Sequence, residues 1–332
     1  LSKLAGCQFL ARDQRAFSDL QLEGAWRQTV LLDAGNDLVG EVELGQLPCR
    51  KIHADADLVV GKTAITPRFE ASAALVEHLH ASDLRLDNFL EQTSLQSART
   101  LPIAPGPART ILLTGANGFL GRFLLVDLLE RVAPHQGQII CLVRAHDDDA
   151  ARARLRGAYS ISGPDILARF DELTPPGRLL VLAGDLLKPN LGIGAEEYAA
   201  LAKRVDTIVH NGALVNHALS YSQLFEPNVL GTVEVMRFAI QHQRKAINFI
   251  SSMGMLAGLT QNVLEQEEAA QLWPSRVLAE GYAAGYSTSK WACEVLLNQL
   301  HQVCEVPVNV FRCSMILGHS QLVGQVNPTD FF

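Results

Sequence analysis

The run Ile111-Leu112-Leu113-Thr114-Gly115-Ala116-Asn117-Gly118-Phe119-Leu120-Gly121 decides the reading of this chain. A short apolar, strand-like stretch leads directly into glycines spaced GxxGxxG, and a stretch of helical character follows at once. A glycine triplet alone says little, but between a strand and a helix it is specific for a dinucleotide phosphate site. Gly115 permits the tight turn, Gly118 lets the backbone approach a pyrophosphate, and Gly121 lets the helix pack closely on the sheet. The helix N-terminus offers free N–H groups and positive potential to the phosphates. Gly115, Ala116, Asn117, Gly118, Phe119, Leu120 and Gly121 are therefore the first candidate cofactor-binding residues.

Outward from this loop, one theme repeats. Short β-rich runs at 110–114, 138–143, 179–182, 206–210, 247–251 and 308–311 alternate with helical stretches such as 120–132, 228–241 and 286–303. Strands alternating with helices predict an α/β fold, a doubly wound parallel sheet of Rossmann-like type, over residues 109–332. Upstream, the proline-containing segment 97–109 reads as a linker. Residues 81–90 read as a short helix capped by Ser82 or Asp83, so that 79–108 together form a linker helix and a Pro-rich linker. Residues 1–78 are a poorly defined N-terminal segment with weak alternation and no cluster of catalytic groups.

The chain has 332 residues, 48% hydrophobic and 19% charged, with a net charge of -7. That balance suits a globular protein and argues against nucleic acid as a partner. The six cysteines have no metal-site spacing, which predicts no metal and buried thiols in a reducing compartment. No signal peptide and no apolar run of about 18 residues is present, so no membrane partner is expected and the expected localisation is cytoplasmic. A start at Leu1 and a stop at Phe332 in mid-pattern read as a fragment of a longer chain.

The second run ends in Arg144, where a site for NAD usually carries an acidic residue to hold the ribose 2′-hydroxyl. A guanidinium there instead grips a 2′-phosphate, with Arg154 as a second charge, which predicts NADP over NAD. Asp185 and Leu186 end the third run, and Asn211, Gly212 and Ala213 the fourth, where ligands of such sheets bind. Asp185 is placed to accept a bond from the adenine amine. The catalytic candidates come from Tyr286-Ser287-Thr288-Ser289-Lys290, a YxxxK pattern. On a helix these positions share a face, and the ammonium of Lys290 lowers the pKa of the phenol. Ser252, ending the fifth run, is a candidate donor to an oxyanion beside Tyr286, with Ser251 the less favoured neighbour. Ser252, Tyr286 and Lys290 are thus candidates both for catalysis and for cofactor contact. Two lesser readings are Asn228 as a helix cap after Pro227 and 265–268 as a solvated acidic face.

Residues from about 109 to 332 resemble the terminal reductase domain of carboxylic acid reductases, and less closely the thioester reductase domains of nonribosomal peptide synthetases. The stretches that carry this resemblance are ILLTGANGFLGRFLL (111–125), ICLVRA (140–145), ARARL (151–155), VLAGDL (181–186), ALVNHALSYSQLFEPNVLGT (213–232), GYSTSKWACEVLL (285–297) and VFRCSMIL (310–317). ASDLRLDNFL (81–90) resembles the helix that precedes that domain. The resemblance implies the extended short-chain dehydrogenase/reductase fold and NADP(H) as cofactor. It implies an acyl substrate held as a thioester on a phosphopantetheine arm and reduced to an aldehyde and a free thiol. It implies an acyl-carrier domain and an adenylation domain in the same longer chain. Ser252 and Tyr286 would then hold the oxyanion, and Lys290 the nicotinamide ribose.

Three departures stand out. Phe17-Ser18-Asp19-Leu20 resembles the approach to a carrier's attachment motif, but Gln21-Leu22-Glu23-Gly24 follows without the serine, so 1–78 reads as a degenerate carrier-like segment. Ser314 stands where the family has Asp, which bears on how the aldehyde sits and whether it is reduced further. The reductase domain reads as truncated at its C-terminus, where substrate-binding helices would continue. The alternatives are a nucleotide-sugar epimerase or dehydratase, which would share the loop and YxxxK, and a non-catalytic NADP-binding regulator, against which the presence of Ser252, Tyr286 and Lys290 weighs.

Overall fold

The computed structural model describes residues 4–5, 27–30, 78–104, 106–257, 268–278, 281–314, 316, 318–319 and 327. Most of the segment read as carrier-like, including residues 17–24, lies outside the described residues, as do 265–267.

Six strands build the body: β1 (Thr110–Thr114), β2 (Gln138–Val143), β3 (Leu179–Ala183), β4 (Thr207–His210), β5 (Ala246–Ser252) and β6 (Val308–Cys313). They lie in the order β3-β2-β1-β4-β5-β6, every pair parallel. This is the doubly wound arrangement that the alternating pattern predicts. A further strand, Arg27–Val30, pairs in parallel with β6 at the edge.

Side chains alternate between the two faces of the sheet, and both faces are covered. Ile111, Leu113, Ile139 and Cys141 pack with α1 (Phe119–Val132), α2 (Asp148–Ser162) and α3 (Pro164–Leu173). Leu112, Ile140 and Leu142 pack on the other face with α4 (Ala195–Arg204), α5 (Gly231–Ala239) and α6 (Ala284–Cys304). Burial on both sides is why the strands read as continuous apolar runs.

The segment before β1 is held against this body. Leu84, Leu86, Leu90, Leu95 and Ala98 are buried in the cluster that includes α5 and α6. Gln299 of α6 accepts from Leu86 N at 2.9 Å and donates to Leu84 O at 2.7 Å. The helix expected over 81–90 is replaced by two 3₁₀ turns, Ala81–Asp83 and Leu86–Asn88, and the α-helix here is Gln92–Ala98. Leu84 and Leu86 are both buried, and residues two apart cannot share one face of an α-helix. Asp83 is not the N-cap expected: His80 holds that position, and the Asp83 carboxylate accepts from its N–H as part of a capping box.

Asn228 is likewise not a cap. Ser220 caps the helix Tyr221–Leu224, which runs through a π-turn, Phe225–Leu230, into α5. Pro227 lacks the N–H that a continuous α-ladder needs, and π-turns of this kind interrupt helices at such points. Asn228, inside the turn, accepts from Leu214 N at 2.7 Å and donates to Ser289 Oγ at 3.0 Å, tying the loop after β4 to α6.

The order of strand connection reverses between β1 and β4, and a buried chain of hydrogen bonds fastens these two strand ends. Gly212 N donates to Thr114 Oγ1 at 3.0 Å, and Thr114 Oγ1 lies 2.7 Å from His210 Nδ1. His210 Nε2 lies 3.0 Å from Thr232 Oγ1, whose hydroxyl donates to Asn228 O at 2.6 Å. Each hydroxyl has one proton, so this order assigns the Nε2–H tautomer to a neutral His210. Burial, reinforced by the Lys290 charge, pushes the imidazole pKa down to about 3.

An acid sensitivity follows from this. The unfolded chain takes up a proton on His210 below about 6.5, whereas the folded chain resists it down to about 3. His210 therefore removes stability as pH falls through that window, by about 1.4 kcal/mol per pH unit. In urea titrations, His210→Gln is expected to start less stable than the parent and to lose about 2 kcal/mol less between about pH 7 and about pH 5. Equal losses in the two proteins would contradict the assignment.

Candidate active site

A cleft of about 780 Å³ runs along the carboxyl ends of the strands, where ligands of open α/β sheets bind. The glycine loop forms one part of it. Gly115 has a φ of +69°, and a Cβ there would lie 2.7 Å from Gly212 N. Asn211 Nδ2 donates to Gly115 O at 3.0 Å, holding the two loops in contact. A Cβ on Gly121 would lie 1.9 Å from Gly115 O, so this glycine lets the first turn of α1 close beneath the loop. Asn117, Gly118, Phe119 and Leu120 line the cleft, whereas Ala116 and Gly121 lie behind it. Ala116 is fully buried.

Arg144 and Arg154 lie together at the end of β2. Arg154 Nη1 donates to Arg144 O at 2.6 Å, which brings the second guanidinium to the same edge of the cleft. Asp185, Leu186, Asn211, Gly212 and Ala213 also line it. The carboxylate of Asp185 accepts from Leu187 N at 3.0 Å and shapes its own loop.

The other end gathers Ser252, Tyr286 and Lys290. Ser252 Oγ accepts from Gly254 N at 3.1 Å and caps the 3₁₀ turn Met253–Leu256. With that lone pair used, the hydroxyl proton is available to a ligand. Lys290 is almost fully buried; its Nζ donates to Ile250 O at 2.7 Å and stands 5.8 Å from the centre of the Tyr286 ring. Burial holds its pKa below the ordinary lysine range. The spacing YxxxK does bring phenol and ammonium to one face of α6.

Ser251 also borders the cleft, but its hydroxyl is engaged elsewhere. Its hydroxyl donates to the carboxylate of Glu294, which pairs with Arg312 of β6 at 2.8 Å, both side chains wholly buried. Sequence reasoning missed this pair. Its signal was present: Glu294 follows Lys290 by four residues within an apolar helix, and Arg312 interrupts an apolar strand. His217 also stands at this end of the cleft; its Nδ1 lies 2.7 Å from Tyr282 Oη, and its ring centre is 5.9 Å from that of Tyr286. Leu214, Val215 and Tyr282 expose apolar surface at this rim. Ser314 lines the cleft beside Cys313, and its buried hydroxyl has no hydrogen-bond partner among the described residues.

Cys141, Cys293, Cys304 and Cys313 are buried free thiols. Among the described residues no group of His, Cys, Asp and Glu is arranged to hold a metal ion, and no helix is long and apolar enough to cross a membrane.

The chain is 44% identical over 255 residues to a carboxylic acid reductase of Segniliparus rugosus, an alignment covering 76% of this chain and 21% of that protein. It is 44% identical over 263 residues to a carboxylic acid reductase of Mycobacterium marinum, covering 79% of this chain and 22% of that one. The chain thus spans about a fifth of the length of these relatives. Among solved structures, it is similar to the reductase domain of a nonribosomal peptide synthetase from Mycobacterium tuberculosis. There the TM-score is 0.67 and the identity 40%, over 76% of this chain and 58% of that one. A family model described as male sterility protein, of the NAD-binding type, matches residues 113–332. The chain belongs to this male sterility protein family of NAD-binding domains.

Proposed function

We propose that the chain is an NADPH-dependent reductase that converts an acyl thioester, carried on a phosphopantetheine arm, to an aldehyde and a free thiol. The observation that carries this reading is one cleft with the glycine loop at one end and Ser252, Tyr286 and Lys290 at the other. Backbone that a Cβ would block at Gly115, and two guanidinium groups at the end of β2, fit a phosphorylated dinucleotide. Arg144 and Arg154 favour NADP over NAD, because guanidinium groups grip the 2′-phosphate.

Bound NADPH supplies the hydride that adds to the thioester carbonyl carbon. Ser252 and Tyr286 donate hydrogen bonds to the carbonyl oxygen as it gains charge, the step at which preorganised donors help most. Lys290 keeps a positive charge near the phenol, which favours proton release by Tyr286. The tetrahedral hemithioacetal then collapses: its hydroxyl proton is lost, the C=O re-forms, and the C–S bond breaks with its electron pair leaving on sulfur, which is protonated to the thiol. The apolar rim at Leu214, Val215 and Tyr282 suits an acyl substituent. The relatives named carboxylic acid reductase and nonribosomal peptide synthetase support delivery by a carrier domain. An adenylation domain and a carrier domain in the same longer chain, and a cytoplasmic location, complete the proposal.

Incubation with an S-acyl pantetheine and NADPH is expected to yield aldehyde and free thiol, at least about tenfold faster than with NADH. Tyr286→Phe is expected to slow the reaction by about 10²–10³-fold, the cost of losing one oxyanion donor, with NADPH affinity kept within about twofold. Full activity in that variant, or interconversion of a nucleotide sugar in place of thioester reduction, would overturn the proposal.

A further inference from the structure

The segment Glu268–Leu278 stands outside the cleft, yet it touches both elements that carry the catalytic candidates. Arg276 Nη1 donates to Met255 O at 2.6 Å. Met255 is fully buried in the 3₁₀ turn that Ser252 caps. The guanidinium is stacked 5.3 Å from the ring centre of Trp273. A second contact reaches α6. Trp291, fully buried and next to Lys290, donates its indole N–H to Ala269 O and Trp273 O, each at 3.1 Å. One short segment therefore grips the Ser252 turn with one residue and the Lys290 turn of α6 with its backbone.

The same segment is paired to the chain entering the domain. Ser275–Val277 forms an antiparallel ladder with His78–His80, with Leu79 opposite Arg276. Ala81 N donates to Pro274 O at 2.9 Å, extending the contact. Leu79 is buried in the core cluster that also holds Met255 and Trp291. A path of direct contacts thus runs from residues 78–81 through Arg276 to the turn that orients the Ser252 hydroxyl.

We propose that Arg276 is a positioning residue for Ser252, and that pairing of His78–His80 with Ser275–Val277 makes the aim of that donor depend on how the preceding chain enters the domain. The physical reason lies in what the turn lacks by itself. Ser252 accepts one local backbone bond, from Gly254 N at 3.1 Å. Arginine stays charged even when largely buried, and its bond to a carbonyl is of the stronger, charge-assisted kind. Removing it leaves Met255 O buried without that donor and the turn free to shift. Misplacement of a reacting group by about 1 Å can cost about 10²-fold in rate. If the substrate arrives on an arm tethered to the preceding chain, this ladder links the position of that tether to the readiness of the site. That last consequence rests on the thioester-reductase reading; the positioning role does not.

The test uses the whole chain with Arg276→Met, Arg276→Lys and Leu79→Asp. Methionine keeps an apolar stem against Trp273 and removes the donor. Hydrogen exchange of the amides at 253–257 is expected to quicken by about tenfold or more in Arg276→Met and in Leu79→Asp, the lost bond and the broken ladder both loosening the turn. With S-acyl pantetheine, kcat is expected to fall by about tenfold in Arg276→Met, with KM and NADPH affinity within about twofold. Arg276→Lys, which keeps a charged donor, is expected to recover part of the loss. Unchanged exchange and unchanged kcat in Arg276→Met would overturn the positioning role. Unchanged exchange at 253–257 in Leu79→Asp would overturn the dependence on the entering chain. If the parent protein reduces no thioester, the functional reading falls, and the exchange measurements still decide this one.

Discussion

Two loops come into close contact where the strand order reverses, between β1 and β4, and this contact governs the cleft. Gly115, at the end of β1, sits where any Cβ would strike Asn211 and Gly212, at the end of β4. The bond from Asn211 to Gly115 O and the chain through Thr114, His210 and Thr232 hold this contact from outside and inside the sheet. The contact sets the floor of the cleft and the start of α1, and so the direction in which its N–H groups point. A neutral His210 is needed for the chain to have its order, which is why burial and the nearby Lys290 act in the same sense on it.

The catalytic end rests on a second constraint, the burial of charge. Lys290 is held by a backbone carbonyl and lies 4.6 Å from the Phe249 ring centre, close enough for a cation–π contact. One turn along α6, Glu294 meets Arg312 and takes the hydroxyl of Ser251. A buried pair of this kind does little for stability against an apolar substitute, but loss of one partner strands the other charge. Its effect here is geometric: it fixes the register of α6 against β5 and β6 and occupies the Ser251 hydroxyl. Of the two serines at the cleft, Ser252 remains as the one whose hydroxyl proton is available to a ligand.

What the sequence made legible was what is local. The glycine loop and YxxxK act over a few residues, so their spacing is their geometry, and both come together as expected. The strand runs were legible because burial on both faces leaves them uniformly apolar. The contacts that pair distant residues were not legible: Glu294 with Arg312, Arg276 with Met255, Trp291 with Ala269 and Trp273. A charge within an apolar run is visible at Glu294 and at Arg312, but nothing near either partner in sequence announces the other. Local propensity also misled where packing overrode it. Residues 81–90 favour a helix until Leu84 and Leu86 must both be buried, and Asn228 after Pro227 looks like a cap until its amide is needed between two elements. The preference for NADP, the carrier arm and the acyl substrate rest on side-chain chemistry at the cleft and on similarity to longer relatives, and stand as proposals.

Transfer of label tests the central claim most directly. With NADPH carrying deuterium at the transferable C4 position and an S-acyl pantetheine as substrate, the account predicts deuterium on the carbonyl carbon of the aldehyde product and release of one free thiol per aldehyde. Consumption of the thioester with no deuterium in the product, or no consumption by a protein that binds NADPH, would contradict it.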